Sequence, residues 1–351
     1  MLEVEIHKNL GNFSLDVSFT AGSGVLALLG GSGSGKSMTL RCIAGVEKPD
    51  RGRIVCDGTV FYDSEKKIDL TPQQRQVGLL FQNYALFPTM TVLENIMAGV
   101  RAGSRAEKRR RAEEALCRYQ LEGLGNRYPR ELSGGQQQRC ALARILVGQP
   151  RLLMLDEPFS ALDSHLRDRM EREVMALLRE FGGTTLLVSH SRDEVYRMAD
   201  MVAVYDAGSI DAFGEKHRVF RDPGTYRSAL LTGCKNFSRV ENLRYENGVT
   251  RFYAADWGLE LSLPGERAGE TAAIRGHHIL PAETEGPGRF RMEIAEVIED
   301  AFEYVLLLRR AGCSGSLIHW MIPKAPGLRL PEGEALVEFP PEAVMLLTGG
   351  N

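Results

Sequence analysis

The chain has 351 residues, 43% of them hydrophobic, with a formal charge of -3. That length suits two domains with sizeable cores, and the near-neutral balance gives no general signal for nucleic acid or an anionic membrane surface. The six cysteines are scattered without a CxxC pair, and neither a basic leader nor an apolar run of ~18 residues is visible, so a soluble chain with reduced thiols is expected.

From the amino terminus, residues 2–6 and 13–19 alternate apolar and polar positions (Leu2, Val4, Ile6, then Phe13, Leu15, Val17, Phe19). This two-residue period predicts an antiparallel edge of half-buried strands. The apolar run Val25–Leu29 predicts a buried strand. It leads into Gly30-Gly31-Ser32-Gly33-Ser34-Gly35-Lys36-Ser37, where two glycines flank four residues before a lysine and a hydroxyl. Residues 38–44 continue as helix until Gly45 and Pro49 end it. Strand, glycine-rich turn and helix in that order describe a phosphate-binding loop. Its backbone amides curl around phosphates, and the helix N-terminus adds partial positive charge. Lys36 reaches the outer phosphates and Ser37 helps to hold magnesium.

Residues 53–61 predict a hairpin turning at Asp57-Gly58, and residues 77–81 a strand that leads to Gln82. From Thr91 to Gln120 the chain reads as helical. The basic run Arg109-Arg110-Arg111 is interleaved with Glu107, Glu113 and Glu114, the pattern of a solvated helix face. Ser133 is placed to cap a helix reaching Val147, with Leu142, Ile145 and Leu146 as its apolar stripe. Residues 152–155 form a buried run of parallel-strand type that ends in Asp156-Glu157-Pro158. A helix over 164–180 stops at Gly182-Gly183, and a second apolar strand over 184–189 ends at His190. Open parallel sheets bind ligands beyond the carboxyl ends of their strands. Gln82, Asp156, Glu157 and His190 are therefore expected to line one crevice with the phosphate loop.

Beyond Cys234 the texture changes. Eight of the fifteen prolines fall there, so short strands separated by turns are expected rather than helices. Residues 297–308 are the clearest strand material, with shorter pieces at 335–339 and 344–347. His277-His278 lacks spaced cysteine or acidic partners and carries no metal assignment.

Taken together, the phosphate loop, Gln82, the run Leu132 to Gln136, Asp156-Glu157, Ser160-Ala161-Leu162-Asp163 and His190 match, in order and spacing, the motifs of the ABC ATPases. The resemblance covers about residues 1–230. It implies an α/β P-loop ABC ATPase domain over 1–233, with a RecA-like core, an antiparallel β edge and a helical subdomain. A small all-β domain of OB/MOP-like type would follow over 234–351. The cofactors implied are ATP and Mg2+, with Gly30, Gly31, Ser32, Gly33, Ser34, Gly35, Lys36 and Ser37 around the phosphates.

Phosphoryl transfer needs charge neutralised on the phosphates and a base for the attacking water. Asp156 suits magnesium, alongside Ser37 and Gln82, and Glu157 is the candidate base. By resemblance, His190 contacts the γ-phosphate and orients the base, while Gln82 links the metal and the water to a transmembrane partner. Ser133, Gly134, Gly135 and Gln136 would close over ATP held by a second copy, with Asp163 at that seam, so a head-to-tail homodimer is expected. The place of the family's adenine-stacking aromatic falls near Leu10, and Phe13 alternates with Leu15 and Val17 as a core residue would.

One ATPase domain followed by a β domain is similar to importer ATPases that work with two separate permease subunits and an extracytoplasmic binding protein, peripheral on the cytoplasmic face of the inner membrane. The segments Asp57–Gly78 and Phe81–Pro88 are most similar to molybdate importer ATPases, and the tail resembles oxyanion-importer tails that bind molybdate. Sulfate, iron or polyamine import, and a soluble non-transport ABC ATPase, are the alternatives.

Overall fold

The computed structural model describes residues 1–160, 164–312 and 315–350, and all their side chains except those of 164–166. The chain divides into two compact units, Met1–Lys216 and His217–Asn351.

The first unit opens with strands β1 (Leu2–Asn9), β2 (Ser14–Ala21) and β3 (Gly24–Gly30), then helix α1 (Lys36–Ala44), β4 (Arg51–Cys56) and β5 (Thr59–Asp63). There follow β6 (Ile68–Asp69), α2 (Pro72–Arg75), β7 (Val77–Leu80), α3 (Val92–Gly99), α4 (Arg105–Arg118), α5 (Gly134–Leu146), β8 (Leu152–Asp156) and α6 (Ser164–Phe181). The unit closes through β9 (Thr184–Ser189), α7 (Arg192–Met198), β10 (Met201–Asp206) and β11 (Ser209–Glu215). Two sheets result. One is antiparallel, in the order β2-β1-β4-β5-β6, and pairs Leu2 with Ala21 and with Cys56. The other runs β11-β10-β3-β9-β8-β7, with β10, β3, β9, β8 and β7 parallel and β11 antiparallel at one edge.

The alternation read in residues 2–19 is seen directly. Leu15, Val17 and Phe19 are buried between exposed neighbours, and with Leu2, Val4 and Ile6 they join α1 and the parallel sheet in one core. The Asp57-Gly58 turn has positive φ at both residues, 46° and 74°, which lets β4 and β5 pair directly at Cys56 and Thr59. A second, separate core is helical: Val92, Leu93 and Ile96 of α3 pack with Ala112 and Ala115 of α4 and with Cys140 and Ala143 of α5. The tight point is Gly99, where an added Cβ would lie 1.8 Å from the Arg144 carbonyl oxygen.

The continuous helix expected over 91–120 is two helices. Residues 100–104 break it, with φ of 118° at Gly103, and Ser104 starts α4 by accepting the Glu107 amide while Glu107 accepts that of Ser104.

The second unit contains α8, which begins at the division (Lys216–Arg221), then α9 (Tyr226–Leu231) and strands β12 (Asn236–Glu246), β13 (Val249–Ala254), β14 (Leu259–Pro264) and β15 (Thr271–Ile274). Strands β16 (Leu280–Pro281), β17 (Arg289–Glu299), β18 (Glu303–Arg309), β19 (Ile318–Pro323), β20 (Glu334–Glu338) and β21 (Val344–Leu347) complete it. They form two five-stranded sheets, β14-β13-β12-β15-β21 and β16-β20-β17-β18-β19, around Trp257, Met292, Trp320 and Phe339. Trp320 Nε1 donates to the Ile279 carbonyl at 2.9 Å, drawing the β19 edge toward the segment that enters β16. The strand material at 297–308 is a hairpin, interrupted at 300–302, where Phe302 is 87% exposed.

The compact unit begins upstream of the compositional change at 234. The Tyr226 amide donates to Thr348 O, and Arg275 donates to the carbonyls of Thr232 (2.8 Å) and Phe220, which tie residues 217–233 to the sheets that follow. Among the described residues, no helix is long and apolar enough to cross a membrane.

Candidate functional site

The parallel register decides where the chemistry collects. Leu29 pairs with Ser189, and Val188 pairs with Asp156. Gly30, His190 and the Asp156-Glu157 pair therefore emerge side by side from β3, β9 and β8. Parallel strands lie about 4.8 Å apart, so residues distant in sequence become neighbours. Gln82 follows β7 at the next position in the sheet and is exposed.

The phosphate loop is shaped by close approaches. At Gly30 a Cβ would stand 2.5 Å from the Tyr205 carbonyl oxygen, and Gly35 caps α1 with φ of 103° while lying against Leu15 and Phe13. Phe13 thus packs beneath the loop, half-buried against the core, as its alternation predicts. The first turn of α1 carries no acidic residue of its own, so nothing within the helix offsets its positive dipole end at the loop.

Lys36 is only 4% exposed, and its Nζ donates to Gly30 O (2.8 Å), Gly31 O (2.7 Å) and Ser34 Oγ (3.2 Å). Burial lowers its pKa, against the upward pull of Glu157 and Asp156. Ser37 Oγ donates to Asp156 Oδ1 at 2.7 Å. Burial raises the Asp156 pKa, opposed by that hydrogen bond. Two hard oxygens in contact, one a carboxylate disfavoured by its own desolvation, form a donor set that fits Mg2+.

Glu157 occupies the left-handed region, φ 46°, held there by its amide donating to Val188 O at 3.1 Å and by Ser160 Oγ donating to its carbonyl at 3.0 Å. A non-glycine residue in that region is costly, and such strain collects at working sites. Its Oε1 lies 3.4 Å from His190 Nδ1, with His190 more than half exposed and Glu157 about one-fifth exposed. An acid and an imidazole thus face the open side of the loop that holds Lys36.

Ser133, Gly134, Gly135 and Gln136 lie instead at the start of α5, where Ser133 is exposed and Gly134 and Gln136 are half-buried. Ser133 caps α5, its amide donating to Gln136 Oε1 at 2.9 Å and its Oγ accepting the Gln136 amide at 3.4 Å, and Gly135 is buried beside Met170. Among the described residues, no hydrogen bond joins this segment to the phosphate loop. The expected seam residue Asp163 lies outside the described residues.

Two residues were not foreseen. Asn95, fully buried, donates through Nδ2 to the carbonyls of Phe87, Met90 and Thr91 and accepts the Phe87 amide at 2.9 Å. Arg144 donates to Ala85 O (2.7 Å) and Tyr84 O (3.0 Å), with its guanidinium 5.2 Å from the Phe87 ring centroid. Together they fix the loop that follows Gln82, where Tyr84 and Ala85 both take positive φ.

The profile of the ABC transporter family matches residues 14–160. A sulfate/thiosulfate import ATP-binding protein of Mesorhizobium japonicum is 42% identical over 272 residues, which are 75% of each chain. This chain belongs to the ATP-binding subunits of ABC import systems. A molybdenum import ATP-binding protein of Paramagnetospirillum magneticum is 40% identical over 224 residues, 64% of this chain and 62% of that relative, so this chain spans about three-fifths of that relative's length. Relatives of comparable identity are named for spermidine/putrescine import and for Fe(3+) import. Among solved structures, a dimeric ATP-binding cassette in a post-hydrolysis state bound to ADP and Pi is 28% identical, with a TM-score of 0.53, and covers 62% of this chain and 99% of that one.

The raised pKa of Asp156 has a testable sign. A carboxyl whose folded-state pKa exceeds its unfolded value loses stability as pH rises through that window, so its ionised form is penalised at pH 7. Asp156→Asn is expected to raise the melting midpoint of the protein alone by about 1–3 °C, because it removes a carboxylate that burial penalises. A lowered midpoint, measured by calorimetry at pH 7, would mean that Lys36 and Ser37 stabilise the carboxylate more than burial penalises it.

Proposed function

We propose that this chain hydrolyses ATP to power an importer, acting as a head-to-tail homodimer beneath two transmembrane permease subunits. The observation that carries the reading is that three separate sets of contacts, Lys36 with its own loop at the start of α1, Ser37 with Asp156, and Glu157 with His190, gather where β3, β8 and β9 end. Lys36 and the loop amides bind and orient the outer phosphates. Ser37 and Asp156, whose side chains are in contact, would hold Mg2+ together with Gln82, and the metal when bound would neutralise charge on the phosphates. Glu157 takes the proton of the attacking water, and His190, within reach of Glu157 Oε1, orients that carboxylate.

The Ser133–Gln136 amides lie at the start of α5, remote in bonding from their own phosphate loop, and serve the ATP of a second copy, with Asp163 at the seam. Closure is favoured because the nucleotide touches both subunits only in the closed pair, and hydrolysis releases it. The loop after Gln82 exposes Phe87 (45%) and Met90 (37%) on a backbone braced by Asn95 and Arg144, a firm platform for a permease segment. The protein would then sit at the cytoplasmic face of the membrane through its permease, with an extracytoplasmic binding protein delivering the cargo.

For the cargo, the relatives named for molybdenum, sulfate/thiosulfate, spermidine/putrescine and Fe(3+) import lend equal support to each, and molybdate is proposed on the resemblance of residues 57–78 and 81–88. A 560 Å3 cavity in the second unit is lined mainly by apolar side chains such as Trp320, Met321 and Leu330, with His277 and Arg329 as its basic groups and Glu334 as its acid. The second unit is proposed as the place where an oxyanion binds and regulates transport.

Two measurements test these readings. Glu157→Gln is expected to keep ATP affinity within about twofold and to lower turnover by roughly 10²–10⁴-fold, the usual worth of a general base. Turnover at the native rate would remove Glu157 from that role. Calorimetric titration of the intact chain with molybdate, tungstate and sulfate is expected to give heat with the first two. Heat with sulfate alone would move the cargo to sulfate, and no heat with any would remove the oxyanion role of the second unit.

A further inference from the structure

Behind His190 lies a buried polar cluster with no part in the reaction described above. Ser189, the last residue of β9, is 1% exposed. Its Oγ donates to Glu194 Oε2 at 2.7 Å and accepts the Ser191 amide at 2.9 Å. The two neighbours of His190 are thereby pinched together by one hydroxyl. Ser191 in turn caps α7, its Oγ accepting the amide of Glu194 at 3.3 Å. Glu194 is 6% exposed, and a buried carboxylate is costly unless hydrogen-bonded and paired. Its Oε2 meets the Ser189 hydroxyl, and its Oε1 lies 3.9 Å from Arg167 Nε of α6.

One turn further along the same pair of helices, Arg197 makes two bonds to Glu171, at 2.8 and 3.0 Å, and Glu171 is 3% exposed. Helices α6 and α7 are therefore clasped by two ion pairs, one of which reaches the backbone on either side of His190. A Ser–Glu pair serving packing alone would be cheaper as two apolar residues. What the polar version adds is direction, because it sets the two peptide planes that flank His190 relative to α6.

We propose that Glu194 is a positioning residue for His190. Through Ser189 it holds the imidazole at Glu157, and through Arg167 it ties that geometry to α6, the helix that begins directly after the expected seam residue Asp163. A shift of α6 on closure of the dimer would then be felt at His190 without any contact between His190 and the second subunit. The inference rests on the ATPase reading for its consequence in turnover, but not for its geometry.

The test uses the full-length protein with Glu194→Ala, Glu194→Gln and Ser189→Ala, reading ATP turnover together with the ring-carbon NMR signal of His190. That signal is identified among the seven histidines by its loss in His190→Ala. Glu194→Ala is expected to lower kcat about tenfold with KM for ATP within twofold, since small misplacements of a catalytic group cost rate rather than binding. It should also displace the His190 signal. Ser189→Ala, which removes one oxygen and no carbon, should do the same. Glu194→Gln keeps an acceptor for Ser189 and should restore most of the rate.

An unmoved His190 signal, or kcat, KM and melting midpoint changing together in both alanine variants, would overturn the proposal in favour of a packing role. If the unmodified protein does not hydrolyse ATP, the functional reading fails. The His190 signal then decides the positioning role by itself.

Discussion

The structure depends most on the register of five parallel strands. Pairing Leu29 with Ser189 and Val188 with Asp156 brings a glycine loop, a histidine and two carboxylates to one edge, although they come from residues 30, 190, 156 and 157. A slip of one residue in β8 would turn every side chain of that strand to the other face and carry Asp156 away from Ser37. The buried runs of β3, β8 and β9, with almost no polar residue between Leu26 and Leu29 or between Leu152 and Leu155, hold that register through packing on both faces.

Within the site, unlike charges offset one another's burial. Lys36 is kept from water by its own loop, and its lowered pKa reflects that cost. Asp156 is raised for the same reason, and each supports the other's charged form. Three loop oxygens around the Lys36 ammonium are a resting arrangement that a phosphate would compete for. The positive φ of Glu157 adds a second stored cost at the residue read as the base. Burial of unlike charges and a positive φ at Glu157 are costs this site carries in the protein alone.

Much of this was legible in the sequence because the signals are local. The glycine loop, the Asp57-Gly58 turn, the Ser133 cap and the strand ends at Asp156 and His190 each follow from a few adjacent residues and their period. The all-β tail was legible from its prolines and turns. What escaped depends on contacts between elements. The break at 100–104 was hidden by good helix formers on both sides, although Ser104 and Glu107 already spelled a capping box. Residues 297–308 read as one strand because the turn at 300–302 carries an exposed Phe302 in place of a strong turn former. Asn95 reads as a polar position on α3 until it is seen bonding three carbonyls of the loop beside it, and Arg144 likewise reads as a surface cation. Glu194 looks like one more acid of a helix start, and only the fold places it under His190.

If each ATP is held by Lys36, Asp156 and Glu157 of one copy and completed by the Ser133–Gln136 segment of another, hydrolysis depends on pairing. The most direct measurement is the initial rate of ATP hydrolysis per subunit, at saturating ATP, across a hundredfold range of protein concentration that runs from largely monomeric up to fully dimeric protein. The account predicts a rate per subunit that rises in proportion to concentration and then levels off as the pair becomes complete. A rate per subunit that is constant over the whole range, in a protein shown by sedimentation to be largely monomeric at its lower end, would contradict it, because a single copy would then contain the entire active site.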